Sequence, residues 1–259
     1  MDGPTICQLI LTRFNTWTPT SSGPDVRTPA WLEQRLTLFA RYCVPSVRQQ
    51  THADFAWVIF CTTETPPDVL ARIRAFDPRI RITCIPDDPE DRAQLAIPND
   101  YVAPDTPLVL PSLAVSPYVP YGTELVISTR LDNDDALHRD ALRSTRSLAA
   151  SVLASNDAQH VYSPTIGFKL DVTQRRLFLA RTPSGPFVSL LERVVPGQPL
   201  IGVHSGTHPR LVERFPTAHE SVRPLWVHIV HGGNVHNRIK PQDVPVAMRD
   251  LRDEFGFSV

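Results

Sequence analysis

Three aspartates lie close together in the segment RLDNDDAL. Asp132, Asp134 and Asp135, with Asn133 between the first two, directly follow an apolar run over residues 125–131. Carboxylates this close repel one another, and a fold tolerates them best where a cation shares them. Hard oxygen ligands suit Mg²⁺ or Mn²⁺, above all a cation that also carries a diphosphate. The cluster is therefore the candidate metal site of this chain.

The same cluster also has an ordinary structural interpretation. Asp132 or Asp134 can cap the helix that follows, and Asp-x-Asp tripeptides are common in solvated turns. Position favours the metal site, because open α/β sheets bind ligands at the carboxyl ends of their strands. The elements around the cluster therefore bear on the choice between the two interpretations.

Short apolar runs alternate with helical patterns in the first half of the chain. The predicted strands of this half cover residues 5–12, 55–61, 80–85 and 125–131. One helix is expected to begin after Thr28, with Pro29 in its first turn, and its apolar spacing is interrupted at Pro45. A second helix is expected over residues 67–76. This alternation predicts a mostly parallel sheet with right-handed crossovers.

The second half of the chain is less regular. Residues 137–152 predict a long helix, residues 160–170 and 176–180 two further strands, residues 225–230 a last apolar strand and residues 244–255 a C-terminal helix. Between residues 86 and 120, eight prolines fall within 35 residues, too many for the interior of a sheet. That segment is predicted to be a long connection over the surface.

Charge and composition limit the class of partner. The 259 residues carry a formal net charge of −1 and a pI near 6.7, so neither nucleic acid nor an anionic membrane is expected as a partner. The sequence has neither a run of roughly 18 apolar residues nor the features of a signal peptide, which predicts a cytoplasmic location. The four cysteines lie in or beside apolar segments and are expected to be free thiols. Small molecules remain as the expected partners.

Five blocks of the sequence, in this order, resemble a bacterial family of rhamnosyltransferases. The blocks are residues 11–15 (LTRFN), 39–51 (FARYCVPSVRQQT), 55–60 (FAWVIF), 129–137 (TRLDNDDAL) and 226–235 (WVHIVHGGNV). The resemblance spans most of the chain but is discontinuous. It is weakest over residues 86–120 and 185–222.

The resemblance implies an α/β fold with one A-type, Rossmann-like glycosyltransferase domain over residues 1–259. Such a domain has a mostly parallel central sheet flanked by helices, here with long proline-rich insertions. Residues 1–131 are expected to form the nucleotide-binding part. Residues 132–259 are expected to form the part that binds the metal and the acceptor.

The implied reaction is the metal-dependent transfer of a sugar from a nucleotide diphosphate-sugar to a saccharide or small-molecule acceptor. A deoxyhexose such as rhamnose is one candidate sugar. Mn²⁺ or Mg²⁺ would act as a Lewis acid on the departing diphosphate. Asp134 is expected to ligate the metal, and Asp132 to lie nearest the ribose or a metal-bound water. Asp135 is expected either to ligate the metal instead or to cap the next helix.

A histidine near the C-terminus is a common third ligand in A-type transferases, and the resemblance points to His231. His228 and His236 compete for the same role. An inverting transferase also needs a base to take the proton of the acceptor hydroxyl. The candidates for that base lie in the late polar stretch and are His204, His208, His219 and Glu220, although a histidine in such a stretch is more often a structural or surface residue.

Nucleotide contacts are expected from the ends of the early strands. Arg13 follows the first strand, where it can stack on the base or pair with a phosphate, and it can equally form a surface salt bridge. Thr12 and Thr62 are candidate hydrogen-bonding partners of the base. Arg130 directly precedes the acidic cluster and can neutralise either the cluster or a phosphate.

Two other functional classes stay open. A two-metal phosphoesterase also uses aspartate clusters, but TRFN stands after the first strand, where such an enzyme would carry Asp-x-His. A catalytically inactive nucleotide-binding scaffold would keep the sheet without turnover. An EF-hand is excluded because Leu137 stands where its loop requires glycine. The donor nucleotide and the acceptor are not identified by the sequence, although the apolar run containing Leu108, Val109, Leu110 and Leu113 is a candidate contact surface.

Overall fold

Two β-sheets and the helices packed against them make up the described part of the chain. The computed structural model describes residues 3–16, 28–86, 115–232 and 238–259. The predicted α/β class is confirmed, because the larger sheet is mostly parallel and is covered by helices. The predicted connection over residues 86–120 lies largely outside the described residues. Five residues that were singled out in the sequence also lie outside them: Leu108, Val109, Leu110, Leu113 and His236.

Twelve strands form within the described residues. In chain order they are β1 (Ile6–Arg13), β2 (Ala56–Thr62), β3 (Ile80–Ile85), β4 (Leu125–Arg130), β5 (Ala136–Leu137), β6 (Gln159–Pro164), β7 (Ile166–Asp171), β8 (Arg176–Arg181), β9 (Ser189–Arg193), β10 (Thr217–Glu220), β11 (Trp226–Val230) and β12 (Val244–Val246). The larger sheet has the order β10-β6-β9-β4-β1-β2-β3, and the smaller sheet has the order β12-β8-β7-β11-β5.

The first four strands form the parallel centre of the larger sheet. β1 lies between β4 and β2 and is parallel to both, and β3 extends the parallel arrangement beyond β2. β9 runs antiparallel between β4 and β6. Because β1 and β4 are parallel neighbours, their carboxyl ends meet at one edge of the sheet.

Both faces of β1, β2 and β4 are largely buried, which explains the continuous apolar runs of these three strands. Ile10 and Ile59 belong to a cluster that packs against α1 and α3, which are the helices Pro29–Leu38 and Pro67–Phe76. Leu9 belongs to a second cluster on the opposite face. The strands are thereby held rigidly beneath the residues that follow them.

The helices are shorter than the sequence pattern predicts in several places. The remaining ones are α2 (Val44–Arg48), α4 (Ala141–Arg146), α5 (Ala149–Ala154), α6 (His208–Arg214) and α7 (Arg252–Phe255). The predicted start of α1 is correct, since the Thr28 hydroxyl accepts a hydrogen bond from the backbone N–H of Trp31. At the other end, Phe39–Cys43 form a π-helical turn and helix resumes in α2, with Pro45 in its first turn. The chain thus stays helical through Pro45, and the change from π-helix to α-helix lies directly before this proline.

Three predicted elements of the second half were wrong. The expected strand over residues 160–170 is two strands, β6 and β7, which lie in different sheets on either side of Thr165. The expected long helix over residues 137–152 is replaced by β5 and two short helices. The expected C-terminal helix over residues 244–255 is β12, which pairs with β8, followed only later by α7. The spacing of a short apolar run does not distinguish a strand from a helix. Pairing with β11 makes residues 136–137 a strand, and pairing with β8 makes residues 244–246 a strand.

The smaller sheet is built around a close approach between β7 and β11. Gly167 in β7 lies directly against the Trp226 ring, and a Cβ atom at position 167 would be 2.0 Å from Cδ2 of that ring. The Trp226 indole N–H donates a 2.8 Å hydrogen bond to the carbonyl of Pro164, at the end of β6. This buried tryptophan therefore connects the two sheets.

The predicted free thiols are confirmed, since Cys7, Cys43, Cys61 and Cys84 form no disulfide. Cys43 and Cys61 are buried as expected, whereas Cys84 is exposed. In the described part of the chain no helix combines the length and the apolar character needed to cross a bilayer.

Candidate active site

The acidic cluster lies where the carboxyl ends of β1 and β4 meet. Arg130 at the end of β4 is in register with Leu11 of β1, and the N–H of Leu131 donates a 3.1 Å hydrogen bond to the Leu11 carbonyl. The next four residues leave the sheet as a loop, which we call the acidic loop (residues 132–135). The predicted position of the cluster is therefore found, at the edge of an open parallel sheet where ligands bind.

Asn133 fastens the acidic loop to the end of β1. Its side-chain amide donates hydrogen bonds to the carbonyls of Arg13 (2.9 Å) and Phe14 (2.6 Å). Its amide oxygen accepts a 3.3 Å hydrogen bond from Nη1 of Arg35, a residue of α1. With both ends of the side chain engaged, Asn133 fixes the direction in which the neighbouring aspartates leave the loop.

Asp132 lies between two arginines. Its Oδ1 atom is 3.8 Å from Nη2 of Arg13 and 3.6 Å from Nε of Arg130, and its side chain is 32% exposed. Burial opposes ionisation, but Arg130 and then Arg13 hold the pKa of Asp132 well below its ordinary value. Both guanidiniums have a buried Nε that makes no hydrogen bond to any described residue. The group therefore has more hydrogen-bond donors than acceptors.

Arg13 itself is partly desolvated. Burial, followed by the like charge of Arg130, lowers the pKa of Arg13 to about 10, although Asp132 acts in the opposite direction. The guanidinium stays protonated at neutral pH. Two partly buried like charges held beside one carboxylate make this corner favourable for an additional anion.

Asp134 joins the acidic loop to α1 and to the residue after β11. Its Oδ2 atom accepts a 2.5 Å hydrogen bond from Nη1 of Arg35 and lies 2.9 Å from Nε2 of His231. Burial raises the pKa of Asp134, but the hydrogen bond to His231 and the charge of Arg35 outweigh it, so the pKa lies below its ordinary value. Asp134 is consequently an ionised carboxylate that is almost fully buried.

Asp135 is directed away from the other two carboxylates, towards β11. Its Oδ2 atom lies 2.8 Å from Nδ1 of His228, and its Oδ1 atom accepts a 2.7 Å hydrogen bond from the N–H of Ile229. Burial is the largest influence and raises the pKa of Asp135 to about 6, although His228 lowers it. None of the three aspartates, Asp132, Asp134 and Asp135, caps a helix, because the next helix begins only at Ala141. The capping interpretation is therefore wrong.

The predicted metal ligands are only partly brought together. Asp134 and His231 face each other, whereas Asp132 faces Arg13 and Arg130. In the described ranges no three His, Cys, Asp or Glu side chains are grouped as metal ligands. A carboxylate oxygen and an imidazole nitrogen are nevertheless ligands that Mn²⁺ accepts, and Mg²⁺ is commonly held by one or two carboxylates together with substrate phosphates. The Asp134–His231 pair therefore fits a cation that the donor diphosphate would help to hold.

The predicted base-contacting threonines have partners inside the protein. The Thr12 hydroxyl accepts a 3.0 Å hydrogen bond from the indole N–H of Trp57. The Thr62 hydroxyl lies 3.3 Å from the Thr65 hydroxyl, and its backbone N–H donates to the side-chain oxygen of Asn15. The Thr62 contact connects the carboxyl end of β2 to the chain that follows β1, whereas Thr12 is in contact with a side chain from the first half of β2.

The candidate bases of the late polar stretch fall into two groups. His204 and His208 lie near Arg130 and Asp132, and both have a lowered pKa, mainly through burial and to about 4 for His208. The His204 Nε2 atom lies 3.4 Å from the Leu11 carbonyl. His219 and Glu220 instead belong to β10, the edge strand of the larger sheet, and are separated from β4 by β6 and β9.

Sequence reasoning missed Arg35 and the role of Asn133. Arg35 is only 8% exposed although it carries a charge, and it stacks on Trp31 at 4.9 Å from the ring centroid. The sequence contains a pattern that indicates Arg35. This residue follows Leu32 by three residues and precedes Phe39 by four, which places it on the apolar face of α1. A charge on that face implies a buried partner.

An α/β fold with convergent acidic and basic side chains at the carboxyl edge of a parallel sheet is typical of nucleotide-binding enzymes. Residues 26–100 match the family described as "Putative rhamnosyl transferase". This match bears out the predicted resemblance to rhamnosyltransferases and supports glycosyltransferase as the enzyme class. It covers less than a third of the 259 residues and ends before the acidic loop. No curated protein sequence matches the chain.

Three solved structures resemble the fold at low similarity. A "putative nucleotide-diphospho-sugar transferase" from Desulfovibrio desulfuricans G20 is 9% identical with a TM-score of 0.37, covering 88% of this chain and 81% of its own. The 4-diphosphocytidyl-2C-methyl-D-erythritol synthase of Anaerococcus prevotii DSM 20548 is 10% identical with a TM-score of 0.35, covering 93% and 94%. The mannose-1-phosphate geranyltransferase of Thermus thermophilus is 12% identical with a TM-score of 0.27, covering 87% and 74%. Likeness at this level carries no argument about activity.

Proposed function

We propose that this glycosyltransferase moves a sugar from a nucleoside diphosphate-sugar to a hydroxyl of a saccharide or small molecule, with Mn²⁺ or Mg²⁺ as cofactor. One observation carries the proposal. At the carboxyl edge of β1 and β4, Arg13 and Arg130 converge on Asp132, and the buried Nε of each makes no hydrogen bond to a described residue, that of Arg130 lying 3.6 Å from Asp132 Oδ1. Guanidiniums with spare donors are suited to phosphate oxygens, so this corner is the proposed site of the donor diphosphate.

Asp132 has a defined task in this arrangement. Without an anion between them, the charges of Arg13 and Arg130 repel each other, and the ionised carboxylate offsets that repulsion. A bound diphosphate would take over the same task with more charge and more acceptor atoms. The two arginines would then stabilise the charge that grows on the diphosphate as it leaves the sugar.

The cation is proposed to bind at Asp134 and His231. Asp134 is ionised and accepts a hydrogen bond from Arg35, and His231 Nε2 is 2.9 Å from its carboxylate, so an oxygen and a nitrogen ligand lie side by side. A divalent cation held there would neutralise further charge on the departing diphosphate. The sugar is proposed to be a deoxyhexose such as rhamnose, for which the family match is the support.

Nucleotide binding to the wild-type protein tests the proposal. UDP, dTDP, GDP and ADP are added with Mn²⁺, and the melting temperature is followed by differential scanning fluorimetry with and without EDTA. We expect at least one nucleotide to stabilise the protein, because a ligand at 100 times its Kd adds about 2.7 kcal/mol. EDTA should reduce that shift. No stabilisation by any of the four nucleotides would refute the donor site, and equal shifts with and without EDTA would refute the cation.

The Asp134→Asn variant tests the proposed cation ligand. An amide keeps the shape of the side chain but has no charge, so the Mn²⁺-dependent part of the nucleotide shift should disappear and sugar transfer should fall at least 100-fold. Asp157→Asn is the matched control, because Asp157 is an exposed aspartate remote from the acidic loop. Retained transfer in Asp134→Asn would require a different ligand set. Nucleotide binding without turnover of any donor by the wild-type protein would favour the inactive scaffold.

A further inference from the structure

We propose that residues 201–205, which we call the cover segment, form the second wall of the donor site, and that the Ser205 hydroxyl binds a phosphate oxygen there. This inference rests on the proposed function and adds to it a binding residue that the sequence did not indicate. Three observations carry it. They are the sheet face on which the two arginines lie, the contacts that fasten the cover segment to that face, and a buried hydroxyl that has no partner.

Both arginines of the donor site lie on one face of the larger sheet. Side chains alternate between the two faces along a strand, so Arg13 shares a face with Leu11, and Arg130 shares a face with Val126. Leu11 and Val126 pack in one apolar cluster, which also contains Val203 of the cover segment. The cover segment therefore packs on the face to which both arginines belong.

Two contacts place the cover segment next to the arginines along this face. The backbone N–H of Val203 donates a 2.9 Å hydrogen bond to Oγ of Ser128, which precedes Arg130 by two residues. The His204 Nε2 atom lies 3.4 Å from the carbonyl oxygen of Leu11, which is in register with Arg130. The cover segment thus crosses the sheet directly beside the end of β4.

The ring of His204 also reaches the neighbour of Arg13. Its centroid lies 6.1 Å from that of the Phe60 ring, and Phe60 is in register with Arg13. Burial, followed by the charges of Arg13 and Arg130, holds the pKa of His204 well below its ordinary value. His204 is therefore a neutral anchor of the cover segment between the two arginines, and it adds no charge to the donor site.

The next residue, Ser205, has a hydroxyl without a partner. Its side chain is buried, with the residue 3% exposed, and its Oγ atom makes no hydrogen bond to any described residue. Leaving a buried hydroxyl without a partner costs free energy, and most buried hydroxyls have one. The Nε atoms of Arg13 and Arg130 are unpartnered in the same way. Three unpartnered polar groups from adjoining elements indicate a ligand that offers several acceptor oxygens.

A diphosphate is such a ligand. Guanidinium N–H groups and a serine hydroxyl all donate to phosphate oxygens, and a hydrogen bond to a charged acceptor is stronger than one to a neutral acceptor. Rotation about a single side-chain bond moves the Ser205 hydroxyl between three staggered positions, so it can turn towards a ligand without a change in the backbone. The competing explanation is a buried water molecule that satisfies the hydroxyl and has no part in binding.

The Ser205→Ala variant separates these explanations. It removes the hydroxyl and leaves the rest of the side chain, so the Kd of a bound nucleoside diphosphate should rise about 10- to 100-fold. The unliganded variant should melt no lower than the wild type, because the hydroxyl it loses has no partner. Ser163→Ala is the matched control, since Ser163 is equally buried but its Oγ accepts a 2.8 Å hydrogen bond from the N–H of Gly185. The control should melt at a lower temperature and bind the nucleotide as the wild type does.

Binding of UDP, dTDP, GDP and ADP with Mg²⁺ is measured by isothermal titration calorimetry on the wild type and both variants. The melting temperature of each unliganded protein is measured alongside. Phosphorus-31 NMR of the saturated complexes then reports on the phosphates themselves. Loss of a hydrogen bond to a phosphate oxygen should move a phosphorus resonance in Ser205→Ala and leave the resonances of Ser163→Ala at their wild-type positions.

The proposed function and this inference fail in different ways. If the wild-type protein binds none of the four nucleotides, the donor site is refuted and the inference fails with it. If one nucleotide binds and Ser205→Ala keeps the wild-type Kd, only the inference is overturned. Weaker binding with unchanged phosphorus resonances also overturns it, because the hydroxyl then acts on the fold. A lower melting temperature of unliganded Ser205→Ala does the same, since it shows that the hydroxyl already has a partner.

Discussion

Arg35 shows how much one side chain can determine at this site. Its guanidinium lies between Asn133 and Asp134, and a sequence search for ligands passes over it because it is neither acidic nor part of a motif. Without Arg35, the Asp134 carboxylate would be buried beside other carboxylates with only His231 to compensate it among the contacts described above. The residue thus belongs to the site although it lies far from it in the chain.

Replacing Arg35 by methionine should destabilise the protein by about 3–5 kcal/mol, because it removes a guanidinium that is paired with a buried carboxylate. Arg72→Met is the matched control, since Arg72 pairs with Glu33 at the exposed surface, where solvent screens the two charges. Urea unfolding of both variants measures the difference. Equal losses in the two variants would contradict a special role for the buried pair.

The candidate residues were predicted unevenly from the sequence. The acidic loop, Arg13 and Arg130 directly follow recognisable strands, so their shared edge of the sheet was predictable. The sequence did not predict which of Asp132 and Asp134 contacts a histidine, because that contact depends on how β11 and the acidic loop are aligned in the fold. Spacing along one strand carries no information about a partner that is 97 residues away.

At the scale of elements, β9 positions the segment that leads to His204. The Glu192 carboxylate of β9 accepts hydrogen bonds from the N–H groups of Ile201 (2.8 Å) and Gly202 (2.9 Å). Burial nevertheless raises the pKa of Glu192 to about 7, because two backbone hydrogen bonds do not replace full hydration. An element of the scaffold is therefore sensitive to pH near neutrality.

The Glu192→Gln variant tests this sensitivity. A raised folded-state pKa means that Glu192 contributes stability that is fully present below its ordinary pKa of 4.5 and is lost as the pH rises through about 7. Glutamine does not titrate, so the wild type should lose stability relative to the variant between pH 5 and pH 8, by an amount on the order of 3 kcal/mol. Urea unfolding at the two pH values measures this. A difference that is constant with pH would contradict the assignment.

The packing of β7 on β11 gives a second prediction for an element. Gly167→Ala would place a Cβ atom 2.0 Å from the Trp226 ring, so the ring must move or the strands must separate. We expect a loss of about 3 kcal/mol or more. Gly3→Ala is the control, because a Cβ atom there meets nothing within 4 Å. Thermal unfolding of both variants makes the comparison, and similar melting temperatures would contradict it.

The inner parallel strands β1, β2 and β4 were predicted well because each is largely buried on both faces and reads as an apolar run. The predicted strand over residues 80–85 and the predicted helix over residues 67–76 agree with β3 and α3. Prediction failed where the chain changes sheets at Thr165, since β6 and β7 together read as one run. It failed again after Asp135, where pairing with β11 makes β5 out of residues that have helical spacing.

At the scale of the whole molecule, the two sheets share one core. The cluster that contains Ile10 and Trp57 of the larger sheet also contains Ala180 and Trp226 of the smaller sheet. If residues 1–259 form one domain, as predicted, this shared packing should make the two sheets unfold together. Neither sheet should be able to unfold while the other keeps its core.

Unfolding should therefore occur in a single cooperative transition. Far-UV circular dichroism and tryptophan fluorescence should report the same midpoint, and the calorimetric and van't Hoff enthalpies should agree. Gly167→Ala in the smaller sheet and Arg35→Met beside the larger one should both shift that one transition. Two separate transitions, with each variant affecting only one, would show instead that the sheets are independent units.

The contact between Gly167 and Trp226 also has an evolutionary consequence. A side chain at position 167 is incompatible with a tryptophan at position 226, so neither position can drift alone without a loss of fitness. Homologous chains should keep the glycine wherever they keep the tryptophan, and should acquire alanine or serine there only after a smaller residue has replaced the indole. The two positions are expected to covary.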